Sequence, residues 1–333
     1  MTLRVAIFGA GRIGTVHAHN AAADPGSEVV AVIDADPGAA GRLGAAVGAP
    51  VKSATETFAD PSVDAVVIAT PTDTHADLVE AAAAAGKATF CEKPLALDMA
   101  RTRLCLQRIA PAGVPLLVGF NRRFDPNVQR LKQRITAGDV GNVELVSIMS
   151  KDPEPPPPAY LERSGGLFRD MMIHDFDMAR NLLGAEPVRV SATAAALVSD
   201  ATREVGDVDT AAVTLQTADG RIAVITNSRR ATYGYDQRIE VHGSLGMASL
   251  NNILMSTVTL ADAAGMHADP LRDFFIDRYA DAYRAEWRHF ISVAGNGTTP
   301  LVGGADGERA LALADAALAS LQSGHAVTVA PAP

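Results

Sequence analysis

Through the first 120 residues, short apolar runs alternate with alanine-rich amphipathic stretches. Arg4–Phe8, Glu28–Ile33, Asp64–Ala69, Lys87–Cys91 and Pro115–Gly119 are apolar runs of strand length; His75–Ala85 and Asp98–Ala110 have helical character. Strands that are apolar on both faces and separated by helices predict a parallel sheet covered on both sides.

Near residue 120 the pattern changes. A charged helix is expected over about 127–137 and a strand over about 143–150. The run Asp152-Pro-Glu-Pro-Pro-Pro-Pro158 favours a stiff extended loop over a docking motif for a proline-binding partner. A helix follows over about 168–183, stopped by Gly184 and Pro187. Then β runs at 188–199, 210–217, 221–227, 237–242 and 247–250 follow one another without helices. Turn signals such as Asp219-Gly220 predict antiparallel pairing there. Two late helices are expected at about 274–294 and 306–323. The chain reads as α/β followed by α+β: a parallel sheet in residues 1–120, and a large, mainly antiparallel open sheet in 121–333. Its 333 residues suit two domains of about 150 each.

Composition narrows the classes. The net charge of −9 argues against a non-specific nucleic-acid binder, which needs a basic surface. Cys91 and Cys105 are the two cysteines and form no CxxC, so neither a disulfide scaffold nor a cysteine-built zinc site is expected. No apolar stretch reaches the roughly 18 residues of a membrane span. The N-terminus is apolar only from Val5 to Phe8 before glycines intervene, unlike a secretion signal. The expectation is a soluble cytoplasmic protein without membrane or nucleic-acid partners.

Gly9-Ala10-Gly11-Arg12-Ile13-Gly14 is a G-x-G-x-x-G directly after an apolar run and at the start of the helix-compatible stretch Thr15–Ala23. The first glycine permits a tight turn, the second lets backbone approach a pyrophosphate, and the third lets helix and strand pack closely. Helix-terminal N–H groups then face the phosphates. Asp34 lies 20 positions after Gly14, at the end of the second run, where a carboxylate accepts both ribose hydroxyls of NAD and repels a 2′-phosphate. The first domain therefore reads as a doubly wound Rossmann unit that prefers NAD. Two more loops follow predicted strands, at the edge where such sheets bind ligands. Thr70-Pro71-Thr72-Asp73-Thr74-His75 offers polar groups to the cofactor or caps for the next helix. Glu92-Lys93-Pro94 places a lysine at the nicotinamide end, unless it is a surface Lys–Glu pair.

These residues resemble the Gfo/Idh/MocA oxidoreductase family. Gly119–Pro126, Ser164–Arg180 and Tyr233–Arg238 are similar to its inositol 2-dehydrogenase branch, with Met172 where that branch more often has Thr. The resemblance covers essentially the whole chain. It implies an NAD-dependent dehydrogenase acting on a secondary hydroxyl of a cyclitol, taking myo-inositol to 2-keto-inositol. Related sugar or scyllo-inositol dehydrogenases, and enzymes that retain their cofactor, are the alternatives; a sensor without turnover is a third class. The resemblance also implies a homotetramer built through the second sheet.

Asp170, His174 and Asp177 are spaced i, i+4, i+7 and would share one helix face. Alcohol oxidation needs a base for the hydroxyl proton, and histidine titrates near neutrality. A carboxylate one turn away orients the imidazole. The same spacing also fits a buried histidine satisfied by carboxylates, or a metal site that no further His/Cys cluster supports. The resemblance implies that Lys93, Asp170 and His174 surround the reacting carbon, with Arg123, Asp152, Asp177 and Tyr235 holding other hydroxyls. Arg123 could equally pair with Asp125, and Tyr235 could anchor a loop. His17 and His19 read as helix-face residues rather than ligands.

Overall fold

The computed structural model describes residues 2–329. The described residues divide into two compact units, one of residues 2–124 and 281–311, the other of 125–280 and 312–329.

In the first unit, strands β1 (Leu3–Phe8), β2 (Ser27–Ile33), β3 (Ala65–Ile68), β4 (Ala88–Glu92) and β5 (Leu116–Gly119) form a parallel sheet in the order β2-β1-β3-β4-β5. Helices α1 (Arg12–Ala23), α2 (Pro37–Val47), α3 (Ala54–Ala59), α4 (His75–Ala84) and α5 (Met99–Ile109) connect them. Val5, Ile7, Val66, Val67, Ile68 and Phe90 are almost wholly buried, as strands covered on both faces require. Each such side chain contributes about 1.5–3 kcal/mol of burial. The chain runs from β1 out to β2 and returns to β3 on the other side. The resulting crevice beyond the carboxyl ends of β1 and β3 is where such sheets take ligands.

The second unit opens with α6 (Pro126–Thr136), β6 (Val143–Lys151), α7 (Pro158–Ser164), α8 (Gly166–Asp170) and α9 (Ile173–Leu183). β7 (Pro187–Ala195), α10 (Asp200–Glu204), β8 (Thr210–Thr217), β9 (Ile222–Ser228), β10 (Asp236–Gly243) and β11 (Gly246–Leu250) follow. An exposed hairpin, β12 (Thr259–Asp262) and β13 (Gly265–Ala268), was not apparent from the sequence pattern, nor was the edge strand β14 (Val327–Thr328). The large sheet runs β11-β10-β6-β9-β8-β7-β14. Every pair is antiparallel except β6 with β9. Register aligns one buried row across five strands, Val241–Val146–Ala223–Leu215–Val190. Phe176 and Leu182 of α9 are buried in the same core.

Late in the chain come α11 (Phe275–Arg278), α12 (Ala280–Asn296) and α13 (Gly304–Ser323). Residues 281–311 pack with the first unit, although sequence alone assigned everything after residue 120 to the second domain. The reason is the apolar face of α12: Trp287 is buried and donates to Ser27 Oγ at 3.0 Å, and Phe290 tilts against Phe90 at 5.6 Å. Among the described residues, no helix is long and apolar enough to cross a membrane.

Candidate functional site

In the first unit the expected cofactor residues gather at the carboxyl edge of the parallel sheet. Gly9 has φ +102° and sits against the end of β3; a Cβ there would crowd Ala69 and lie 2.9 Å from Thr70 N. Gly14 is buried under the turn. An ideal Cβ at Gly11 would meet nothing within 4 Å, so this point of the turn is open. Gly11 caps α1 without a side-chain hydrogen bond, and the first turn, which begins with Arg12 and Ile13, holds no acidic residue. Its N–H groups and dipole are therefore available to an anion. Asp34 carries two local bonds: Oδ2 accepts from Ala10 N at 2.6 Å and Oδ1 from Asp36 N at 2.8 Å. It ties the end of β2 to the glycine turn, and each oxygen keeps a lone pair for a ribose hydroxyl. The turn, the open helix end and Asp34 fit NAD.

Thr70 and Pro71 follow β3, and the Thr70 hydroxyl lies 2.7 Å from Thr74 Oγ1. His75, expected among the cofactor contacts, has both ring nitrogens against backbone carbonyls. It is 1% exposed, with Nδ1 2.8 Å from Pro94 O and Nε2 2.8 Å from Thr70 O. Its ring nitrogens thus reach the carbonyls of both loops, so His75 links the loop after β3 to the loop after β4. Glu92 ends β4 and Lys93 follows it, half-buried. Arg123 is buried and pairs with Asp306 at 3.0 Å, not with Asp125, whose own partner is Arg278 at 2.5 Å.

His17, expected to be an ordinary helix-face residue, is fully buried beneath this edge, with Nε2 2.8 Å from Glu92 Oε1. Glu286 on α12 is also fully buried, and neither carboxylate oxygen has a hydrogen-bond partner among the described residues. Burial, and then the Glu92 charge, push its carboxyl well above the usual carboxylate range. The folded chain thus keeps a proton that the unfolded chain gives up near pH 4–5, and stability falls as pH rises beyond that point. Glu286→Gln removes this linkage. Its melting temperature is expected to match the parent near pH 4 and to exceed it by roughly 2 °C or more at pH 8. Parallel melting curves across that range would refute a neutral Glu286.

In the second unit the helix expected over 168–183 is interrupted. α8 ends at Asp170 and α9 begins at Ile173, with Met172 N bonding back to Leu167 O. Asp170 and His174 are therefore held by two short helices meeting at a turn, and only His174 and Asp177 share α9. Asp170 is held on both oxygens: Tyr160 Oη donates to Oδ1 at 2.8 Å, and Arg229 Nη2 lies 3.4 Å from Oδ2. Arg229 is 1% exposed and also faces Asp207 at 4.0 Å. Tyr160, Arg229 and Asp207 were missed by sequence reasoning, because no local pattern marks a partner 59 residues away. Next to His174, Asp175 is fully buried and accepts from Ser150 Oγ at 2.6 Å and Asn227 Nδ2 at 2.8 Å, which anchors α9 to the sheet. Asp177 is buried, 3.5 Å from Arg180.

Sheet register gathers the remainder. Asp236 pairs with Lys151, and Lys151 with Ser228, so Tyr235, Asp152 and Arg229 lie just beyond one end of three adjacent strands. Tyr235 is buried edge-on against Tyr279, at 6.1 Å. This end of the sheet offers carboxylates, an arginine and phenol groups, a donor set suited to a polyhydroxylated ligand. Among the described residues, no group of His, Cys, Asp or Glu side chains gathers as a metal site would.

Residues 3–120 match the model of an oxidoreductase family with an NAD-binding Rossmann fold, and 128–249 match the GFO/IDH/MocA C-terminal domain. An inositol 2-dehydrogenase of Rhizobium meliloti is 50% identical over 330 residues, covering 99% of this chain and 100% of that protein. The crystal structure of a putative myo-inositol dehydrogenase from Sinorhizobium meliloti superposes with TM-score 0.97 at 50% identity, covering 99% and 100% of the two chains. A scyllo-inositol dehydrogenase from Lactobacillus casei, crystallised with NAD(H) and scyllo-inositol, gives 0.92 at 28% identity over 98% and 99%.

Proposed function

The chain belongs to the GFO/IDH/MocA oxidoreductase family, and from that premise we propose that it oxidises a secondary hydroxyl of a cyclitol, converting myo-inositol to 2-keto-inositol with NAD as cofactor. The observation that carries this reading is the polar end of the seven-stranded sheet, where Asp152, Tyr235 and the Arg229–Asp170 pair gather in a chain whose full-length relatives act on inositols.

Bound NAD supplies the hydride acceptor. The remaining work belongs to this chain. His174 takes the hydroxyl proton, which gives general-base assistance of about 10²–10⁴ in rate. Asp170, restrained by Tyr160 and Arg229, supports the imidazole as it becomes cationic. Lys93 hydrogen-bonds the reacting oxygen and stabilises its developing negative charge. Arg123, Asp152, Asp177 and Tyr235 are assigned to the remaining hydroxyls, each of which needs a partner once desolvated. Gly9, Gly11 and Gly14 shape the pyrophosphate site; Asp34 takes the ribose.

The test is absorbance of NADH during incubation with NAD⁺ and a stereochemically complete panel of inositols and aldoses. Turnover of myo-inositol is expected. Preference for scyllo-inositol or an aldose would move the substrate within the family, and silence with every polyol would sink the reading. Reduction of the cofactor without its release into solution would identify an enzyme that retains it.

The same reading includes a homotetramer assembled through the outer face of the large sheet. That face carries a shallow cavity of about 630 Å³ bordered by Met149, Thr193, Leu197, Thr226 and Tyr233, an apolar surface suited to a second copy. Sedimentation at micromolar concentration is expected to give four chains; a monomer would contradict it. It also includes a cytoplasmic location, supported by two free, buried cysteines, Cys91 and Cys105.

A further inference from the structure

The His17–Glu92 contact involves the residue immediately before the lysine to which the proposed mechanism gives the reacting oxygen. His17 comes three residues after the glycine turn, on α1, and its ring has little freedom. It stands edge-on to Phe90 at 4.6 Å and to Tyr283 at 5.7 Å, and it is fully buried. Nε2 is 2.8 Å from Glu92 Oε1, whereas Nδ1 is buried with no hydrogen-bond partner among the described residues. The ring's one polar contact is thus the carboxylate, to which Nε2–H donates. The other side of that carboxylate is closed by β5. Gly119 is the residue paired with Glu92 across the β4–β5 ladder, and a Cβ at Gly119 would lie 2.9 Å from both Cδ and Oε2 of Glu92. Glycine is needed there because the carboxylate occupies the space a side chain would take.

We infer that His17 is a positioning residue for Lys93: it holds the Glu92 carboxylate against Gly119 and thereby sets the end of β4 from which Lys93 projects. The physical reason is connectivity. Glu92 is the last residue of β4, and beyond it no ladder bond restrains the chain. A part-buried, charge-assisted hydrogen bond at that point resists rotation of the strand end, and with it a swing of the adjacent lysine. The inference rests on the proposed role of Lys93, and the experiment separates the two.

The variants are His17→Ala, His17→Gln, Glu92→Ala, the double variant His17→Ala/Glu92→Ala, Gly119→Ala and Lys93→Ala. The readouts are kcat with myo-inositol, Kd for NAD⁺ by calorimetry, and melting temperature. His17→Ala is expected to lower kcat by roughly 10-fold or more, the scale of a lost hydrogen bond to a charged group, and to weaken NAD⁺ binding several-fold. His17→Gln, which returns an amide donor near the position of Nε2, should recover most of both. Gly119→Ala should reproduce the loss from the opposite side by displacing the carboxylate. The double variant should cost no more than the worse single one, since both act through one contact. Additive losses in the double variant, or a His17→Ala protein that melts lower but keeps parental kcat and Kd, would overturn the inference. If Lys93→Ala leaves kcat intact, the proposed role of Lys93 fails first and takes the inference with it. If no polyol is oxidised, Kd still decides: unchanged NAD⁺ affinity in His17→Ala rejects the clamp.

Discussion

His174→Ala is expected to lower kcat by about 10²–10⁴, the range of general-base assistance, while leaving NAD⁺ affinity within about two-fold of the parent. The two halves of that statement have different sources. His174 stands in the first turn of α9 in the second unit, half-buried, whereas the glycine turn, Asp34 and the loops after β3 and β4 belong to the first unit. His174 belongs to the second unit, so removing the imidazole deletes a proton acceptor and none of the expected cofactor residues, which lie in the first unit. Its surroundings should survive, because α9 is anchored through Asp175 to Ser150 and Asn227 and through Phe176 and Leu182 to the core. A kcat loss with unchanged melting temperature therefore separates chemistry from folding. Parental turnover in His174→Ala would remove this residue from the mechanism and leave Lys93 as the candidate base.

Gly14→Ala is expected to destabilise the first unit by about 2–3 kcal/mol or more and to weaken NAD⁺ binding by at least about 10-fold. The added Cβ would overlap the Gly9 carbonyl oxygen and come 2.8 Å from Gly9 C. Both are backbone atoms of the cofactor turn. Gly9 has no room to yield, since it already sits at φ +102° against Ala69. Either α1 tilts away from β1 or the turn opens, and each moves the N–H groups that would hold the pyrophosphate. Gly11→Ala is the informative contrast. Among the described residues its Cβ meets nothing within 4 Å, and its φ of −74° is open to alanine. Melting temperature should stay parental while Kd for NAD⁺ rises, because the methyl group fills only the space reserved for the ligand. If Gly11→Ala bound NAD⁺ normally, the pyrophosphate would have to lie elsewhere.

Much of this protein was readable from its residues because burial patterns are local. All five strands of the parallel sheet lie where continuous apolar runs place them, to within one or two residues, since a strand covered on both faces shows its burial in its own composition. The glycine turn was readable for a related reason: its three constraints all fall within six consecutive residues. The antiparallel strands of the second unit were legible from alternation and from turn signals such as Asp219-Gly220.

Only the tertiary structure decided the polar pairings. That His75 bridges the carbonyls of Thr70 and Pro94, 24 residues apart, was not readable from the sequence. His17 read as an ordinary helix-face residue, and its partner Glu92, 75 positions away, was not foreseen. Arg229, Tyr160 and the break at Met171–Met172 carried no signal, and the parallel pairing of β6 with β9 is invisible to alternation, which reports a face and not a neighbour. The division has one physical origin. Apolar burial is non-directional and summed over neighbouring residues, so periodicity records it. A hydrogen bond is directional and specific to a partner, and the chain separation between partners is set by the fold alone.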